Sequence, residues 1–202
     1  MLPAMINTLF MTVLALLLSV PFGVGAAIYL VEYAKKGNKL VGIIRVTAET
    51  LSGIPSIIYG LFGLLFFVTA LKWGYSMMAG AATLAIMVLP VIMRTTEEAL
   101  LCVPDSFREG SFGLGAGKLR TIFKIVLPSA IPGILSGIIL AIGRIVGETA
   151  ALIYTSGTVA NLAGFFDSGR TLAIHMYSLS REGMHTNEAY ATAVVLLIVV
   201  LI

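Results

Sequence analysis

Long apolar runs constrain the fold of this chain more than any other feature. No charged residue occurs between Ile6 and Leu30. A hydrocarbon core about 30 Å thick needs roughly 20 consecutive apolar residues in a helix. Several later runs approach this length, and they predict transmembrane helices.

The overall composition agrees with a membrane protein. The chain is 58% hydrophobic and 11% charged, with a mean hydropathy of +1.02. Soluble domains are about 45–50% apolar and about 25% charged. The 21 glycines also fit, because glycine allows membrane helices to approach closely. We therefore predict an all-α, polytopic membrane helix bundle that forms a single domain over residues 1–202.

The apolar runs predict five spans, which cover residues 5–31, 43–71, 77–93, 125–154 and 188–202 approximately. Cytoplasmic loops carry an excess of Lys and Arg. Alternate numbering of the loops puts nine basic residues on one side: Lys35, Lys36, Lys39, Arg45, Arg94, Arg108, Lys118, Arg120 and Lys124. Only three lie on the other side: Lys72, Arg170 and Arg181. The polar segment 94–124 is therefore predicted to be cytoplasmic, and the segment 155–187 to be outside.

This topology starts the first span outside the cell, and the fifth span is short. Both features suggest a fragment that lacks at least one upstream helix. The N-terminal run is too long for a signal peptide, and no basic segment precedes it.

The polar interruption from Arg94 to Pro128 has internal pattern. Ser106 with Glu109 three residues later has the form of a capping box, which predicts a helix over Ser106–Leu114. Glycines at 113, 115 and 117 are predicted to end it. A second helix over Lys118–Val126 should then lead into the fourth span.

The spacing within this segment resembles a known signature. Glu109-Gly110-Ser111, three residues, Gly115, nine residues, Ile125, one residue and Leu127-Pro128 are similar to the EAA loop of ABC-importer permeases. The family prefers alanine where Gly110 and Ser111 stand. The resemblance implies that the segment contains a coupling helix that docks on a separate ATP-binding cassette subunit. The implied docking residues are Arg108, Glu109, Gly110, Ser111, Gly115 and Lys118.

The chain does not carry its own phosphate loop. Gly113–Lys118 reads GLGAGK, but the Walker pattern needs a glycine five residues before Gly-Lys and a Ser or Thr after it. Phe112 and Leu119 stand at those positions. We therefore expect no enzyme activity and no cofactor in this chain, with ATP hydrolysed by a partner.

Four further stretches resemble permeases of the phosphate-specific ABC importer, the A-type subunit more than the C-type: Asn7–Ala34, Ser52–Gly63, Leu89–Gly110 and Gly143–Gly157. The resemblance implies phosphate as substrate and a multi-pass subunit of a bacterial or archaeal cell membrane. The implied partners are ATP-binding cassette subunits, a C-type second permease and an extracytoplasmic phosphate-binding protein.

Charged residues within the spans are candidates for the translocation path. A charge at a helix centre costs roughly 2.5–3.5 kcal/mol on insertion scales, so it should face the bundle interior with a partner. Arg144 and Glu148, four apart, are predicted to pair on one helix. They either line a phosphate path or only stabilise the helix. Arg94 and Glu97 form a similar predicted pair, on the path or as an interfacial anchor.

Several polar residues have weaker assignments. Glu49 is expected to reach the interface or to pair with a base. Ser52, Ser56 and Tyr59 share one face of a continuous second helix, which lines the path or bonds a neighbouring helix. His175 and His185 are expected to be ordinary loop residues, within an outer stretch whose pattern predicts an interfacial helix over Thr171–Ser180.

Other functions remain open but fit the sequence less well. The nearest alternative is a permease for another oxyanion, such as sulfate or molybdate. A secondary transporter would leave the docking segment unexplained. No paired-Asp, Ser–His or metal constellation supports an intramembrane enzyme, and Cys102, the single cysteine, is assigned to packing. The basic residues lack the aromatic interleaving of a nucleic-acid surface.

Overall fold

A computed structural model describes residues 1–35, 37–183 and 185–201. In this part of the chain all regular structure is helical. The α-helices are α1 (Leu2–Ile28), α2 (Lys39–Ser52), α3 (Ser56–Gly63), α4 (Met77–Leu101), α5 (Asp105–Gly113), α6 (Lys118–Thr121), α7 (Leu127–Val146), α8 (Ala150–Ile153), α9 (Leu172–Glu182) and α10 (Thr186–Leu201). π-Helical turns extend α1 (Tyr29–Tyr33), α3 (Leu64–Ala70) and α6 (Ile122–Val126). Lys36 and Ile202, which the predictions include, lie outside the described residues.

Within the described residues, three helices are long and apolar enough to cross a membrane: Leu2–Tyr33, Met77–Leu101 and Lys118–Val146. The pair α2–α3 adds a fourth if it counts as one broken span. The apolar helix α10 has 16 described residues, or about 24 Å of helix, which is shorter than a hydrocarbon core of about 30 Å. Among the described residues, four of the five predicted spans correspond to helices of spanning length if the broken pair counts as one.

Three predicted boundaries were wrong. The second span is interrupted at Gly53–Pro55, because Pro55 disfavours helix at the residue before it. The third continues eight residues beyond Met93 to Leu101, so the first part of the polar segment is helical. The fourth ends at Val146, and the short helix α8 follows after Gly147–Thr149.

The helices form two compact units, whose boundaries fall inside α1, α4 and α7. The first unit contains Met1–Leu18, Ile54–Val88 and Ile142–Ile202. The second contains Ser19–Gly53 and Leu89–Ala141.

In the first unit, the long loop between α8 and α9 is tied down by hydrogen bonds. The buried side chain of Asn7 donates to the carbonyl oxygens of Asn161 (2.9 Å) and Arg170 (3.2 Å), and accepts the N–H of Ala163 (3.2 Å). The Thr8 hydroxyl accepts the N–H of Leu172 at 2.8 Å, at the start of α9. Two neighbouring residues of α1 thus position both ends of a chain segment.

The same loop satisfies the first turn of α4, whose N–H groups have no intrahelical acceptors. The N–H groups of Ser76, Met77 and Met78 donate to the carbonyl oxygens of Thr155, Asp167 and Phe165 at 2.9–3.1 Å. The helix predicted near residues 171–180 is confirmed as α9. Its buried residues are concentrated in the first turn, Leu172, Ala173, Ile174 and His175, with Leu179 one turn later.

The second unit has a continuous apolar core, built from Ala27, Leu30, Met93, Leu100, Val103, Val126, Ala130 and Ile134. Small residues bring α7 close to α4. A Cβ on Gly133 would lie 2.6 Å from the Cβ of Ala99, and a Cβ on Gly137 would meet the Thr95 side chain. This Gly-xxx-Gly spacing is typical of closely packed membrane helices.

Gly60 tests the close packing in the first unit. A Cβ there would lie 2.7 Å from the backbone Cα of Ala151 in α8, and a backbone atom cannot rotate away. We expect Gly60→Ala to lower the free energy of unfolding by about 1–3 kcal/mol through overpacking. Thermal unfolding of the detergent-solubilised protein measures this.

Gly143→Ala is the matched control for this substitution. Gly143 is also inside a helix, but nothing lies within 4 Å of its added Cβ. Alanine should stabilise that helix by up to about 1 kcal/mol. Equal shifts for the two variants would contradict the packing argument.

The burial of His175 predicts that the first unit becomes less stable in acid. Burial, and secondarily the positive charge of Arg170, lower the pKa of His175 from its usual 6.5. The unfolded chain therefore binds a proton below pH 6.5 that the folded chain resists, and stability falls as pH falls through that window. His175→Gln should weaken this pH dependence of the melting temperature. His185→Gln, at an exposed histidine, should retain it, and an unchanged slope in His175→Gln would refute the assignment.

Candidate functional site

The segment Asp105–Thr121, which we call the α5–α6 segment, begins differently from the prediction. The predicted capping box at Ser106 is wrong: α5 starts at Asp105 and Pro104 is its N-cap, without a side-chain cap. Proline fixes φ near −65°, and Pro104 has φ −56° and ψ 139°, which ends the preceding turn and directs the chain into the new helix.

A glycine turn joins α5 to α6, as the sequence predicted. α5 ends at Gly113, and Gly115 has φ +80°, a left-handed conformation that favours glycine. The N–H of Gly115 donates to the carbonyl of Phe112 (2.9 Å), and the N–H of Ala116 to that of Ser111 (3.1 Å). Gly117 then caps α6 in an extended conformation.

Ser111 locks the two helices together. Its buried hydroxyl lies 2.8 Å from the hydroxyl of Thr121, which also donates to the carbonyl of Gly117 at 3.3 Å. Gly110 has open space where a Cβ would stand. The two departures from the EAA pattern thus have different consequences, since serine adds a tertiary hydrogen bond and glycine leaves α5 unobstructed.

The outer surface of the α5–α6 segment is partly apolar. Large hydrophobic side chains are exposed there: Phe107, Phe112, Leu114 and Leu119. Leu114, beside the glycine turn, is 91% exposed. Glu109, Gly110, Gly115 and Lys118 are exposed on the same segment, and a cavity of about 310 Å³ adjoins the turn.

Arg108, in contrast, is half-buried, and all of its guanidinium N–H groups are engaged. Its guanidinium donates to Glu32 Oε1 through Nε (3.0 Å) and Nη2 (2.8 Å). It also donates to the carbonyl oxygens of Val103 (2.8 Å) and Leu100 (3.0 Å) and to Asp105 Oδ1 (3.2 Å). The side chains of Arg108 and Glu32 are 14% and 8% exposed. These bonds occupy Arg108 within the chain, unlike the predicted docking role.

A second set of ion pairs joins α2 to α4. The predicted Arg94–Glu97 pair was wrong, because each residue has a partner on the other helix. Arg45 pairs with Glu97 at 2.5 Å, and Arg94 with Glu49 at 3.1 Å. Arg94 also contacts Glu98, four residues on, at 3.2 Å. Each helix thus supplies one arginine and one glutamate to a reciprocal arrangement.

These pairs line a cavity of about 260 Å³, together with Ala48, Met93 and Leu101. Two arginines against three glutamates give it a formal charge of −1. A lining with this charge does not favour a bound anion. The geometry therefore fits a set of ion pairs that holds α2 and α4 together better than it fits a phosphate site, and we call this set the latch.

Arg144 and Glu148 do not form their predicted pair. α7 ends between them, at Val146, and Glu148 Oε1 accepts the N–H of Ala151 at 3.0 Å, at the start of α8. In the described ranges no carboxylate lies within 4 Å of the Arg144 guanidinium. The buried side chain of Tyr59 interacts electrostatically with Arg144.

The weaker assignments divide. Glu49 pairs with a base, as expected. Ser52 and Ser56 lie on opposite sides of the Gly53–Pro55 break, so the predicted continuous face does not exist. Cys102 is exposed rather than packed. The described residues contain no cluster of potential metal ligands.

Sequence reasoning missed Glu32 and Arg45. A signal was available for Arg45. Arg45 and Glu49 are four residues apart, and their charges are complementary to those of Glu97 and Arg94. Glu32 had no such signal, since it lies 76 residues from Arg108.

The comparison with protein families decides the general class. Residues 19–202 match the family of binding-protein-dependent transport system inner membrane components. The chain belongs to this family of permeases. It is accordingly a multi-pass membrane protein that takes part in transport, and its all-helical structure agrees with this family.

Individual proteins to which the chain is similar are also transport permeases. The permease is 37% identical, over 98% of its length, to phosphate transport system permease protein PstA 1 of Mycobacterium tuberculosis, and 37% identical, over 93% of its length, to PstA of Yersinia pestis. It spans 66% and 64% of those proteins, or about two-thirds of their length. An inward-facing structure of the MetNI methionine ABC transporter matches with a TM-score of 0.74, at 21% identity, over 98% of this permease and 86% of that chain. This match concerns the fold.

The Arg45–Glu97 pair gives a stability prediction. Arg45→Leu leaves the 9%-exposed Glu97 carboxylate without its cation, and should cost about 1–3 kcal/mol. Adding Glu97→Leu should recover much of this loss, because it removes the carboxylate that Arg45→Leu leaves buried without a cation. Thermal unfolding in detergent measures both.

Glu98→Gln is the control for this cycle. It removes an exposed partner of Arg94 and should change stability by less than about 1 kcal/mol. A double variant no more stable than Arg45→Leu would disprove the pairing energetics.

Proposed function

We propose that this permease is the A-type membrane subunit of an ATP-driven phosphate importer in a bacterial or archaeal cell membrane. In this proposal it forms half of the translocation path beside a C-type permease. An extracytoplasmic binding protein supplies phosphate, and separate ATP-binding cassette subunits hydrolyse ATP. The identity to two PstA proteins over more than nine-tenths of the chain supports phosphate.

The observation that carries the coupling role is the exposed glycine turn of the α5–α6 segment. Exposed apolar patches mark interaction sites in proteins, and Phe112 and Leu114 flank a turn held by internal hydrogen bonds. The exposed Glu109 offers a carboxylate beside them. We assign docking of the ATPase subunit to Glu109, Gly110, Gly115 and Lys118. Ser111 and Arg108 support that surface from within. The excess of basic residues on this side of the chain supports a cytoplasmic position for the segment.

The path residues are proposed from charge and partners. Arg144 lacks a carboxylate partner among the described residues, and a guanidinium offers forked donors suited to phosphate. Glu148 shapes the chain next to it by accepting the Ala151 N–H. Arg94 and Glu97 act in the latch between α2 and α4, where ion pairs can open and close without holding the anion.

The proposal predicts that Arg144→Gln abolishes phosphate uptake. The substitution removes the cation but keeps a polar side chain, so uptake should fall at least tenfold while the complex assembles. The measurement is uptake of radiolabelled phosphate by proteoliposomes containing the full transporter, with co-purification of its subunits.

Arg181→Gln, at an exposed arginine that ends α9, is the control and should transport normally. Normal uptake by Arg144→Gln would refute the path assignment. Competition by sulfate or molybdate stronger than by unlabelled phosphate would favour the alternative, a permease for another oxyanion. Uptake independent of the ATPase subunits would indicate a secondary transporter instead.

A further inference from the structure

One turn of helix contacts both halves of the α5–α6 segment. The π-helical turn Tyr29–Tyr33 ends the first long helix. Glu32 of this turn binds Arg108 of α5, and the ring of the adjacent Tyr33 lies 4.7 Å from Lys118 Nζ of α6. A cation over an aromatic face is attracted to it. Two neighbouring residues therefore hold the two helices on either side of the glycine turn.

Arg108 also holds the end of α4. The last carbonyls of a helix have no intrahelical donors, and the guanidinium supplies donors to Leu100 and Val103 at 3.0 and 2.8 Å. The surroundings are apolar: Leu30, Leu100 and Val103 are buried in the core of the second unit. Because water has little access, these bonds cannot readily be exchanged for bonds to solvent.

We propose that the Glu32–Arg108 ion pair is the joint that transmits movement of the docked α5–α6 segment to the first long helix. Arg108 is then a positioning residue that makes α5, the end of α4 and the turn Tyr29–Tyr33 move together. This inference rests on the proposed function, since it assumes an ATPase subunit bound to the α5–α6 segment.

The contacts of Arg108 favour a role in transmitting movement between helices over a role in stabilising the fold alone. Both guanidinium contacts to Glu32 use the same oxygen, Oε1, at 3.0 and 2.8 Å. Asp105, the other carboxylate on Arg108, is 80% exposed and belongs to α5 itself. Of the two carboxylates on Arg108, only Glu32 belongs to the first long helix, so they provide a test and its matched control.

The test uses the complete transporter in proteoliposomes and compares phosphate uptake with ATP hydrolysis. Glu32→Gln keeps the shape of the side chain but removes its charge. We expect the complex to assemble and to hydrolyse ATP within about twofold of wild type, while phosphate transported per ATP falls at least tenfold. Asp105→Asn, on the same guanidinium, should keep the wild-type ratio.

A purely structural role gives a different result. Hydrolysis and uptake by the assembled Glu32→Gln complex would then fall together, and the transport-to-ATP ratio would stay constant; this overturns the proposal. If Glu32→Gln does not assemble, Glu32→Asp replaces it. That variant keeps the charge and shortens the reach, and an intermediate ratio is expected, whereas a wild-type ratio overturns the joint. Failure of the wild-type transporter to couple uptake to ATP would instead refute the proposed function.

Discussion

The largely enclosed ion pair between Arg108 and Glu32 joins the end of the first long helix to α5 and to the end of α4 in the second unit. A guanidinium offers five N–H donors in one plane, and Arg108 directs them to a carboxylate and to two backbone carbonyls. Breaking a buried pair by removing one partner leaves an uncompensated charge. The pair therefore fixes where α5 starts relative to α1 and α4, and through α5 it sets the position of the exposed glycine turn.

The charged residues of the α2–α4 ion pairs differ from Arg144 in the partners that they have. Arg45, Glu49, Arg94 and Glu97 are matched across α2 and α4, so they compensate one another. Arg144 has no carboxylate partner within the described residues, and the carboxylate four residues later binds backbone instead. This difference separates groups that hold helices together from a group that remains available to an anion, and it underlies the proposed division between latch and path.

Much of the fold was accessible from sequence because local chemistry dictates it. Apolar length predicted the long helices, and the pattern near residues 171–180 predicted α9. Gly115 was correctly placed in a turn. The failures have a common cause: Ser106 satisfied the capping pattern, but Pro104 controlled the start of α5. Arg94 and Glu97 had helical spacing, yet stronger partners stood on α2. Spacing shows which residues can meet on one helix, not which competitor is nearer in space.

The sequence by itself determined the class of protein, the order of its helices and the presence of a glycine turn between two short helices. These follow from hydrophobic length, from proline and glycine backbone preferences and from the spacing of a known signature. Only the tertiary structure decided that Arg108 is internal, that Glu109 and Leu114 are exposed, and which charges pair. The physical reason is that an ion pair depends on distance and burial. Glu32 and Arg108 are 76 residues apart in the chain, and they come together only when the first long helix, α4 and α7 pack around one apolar core.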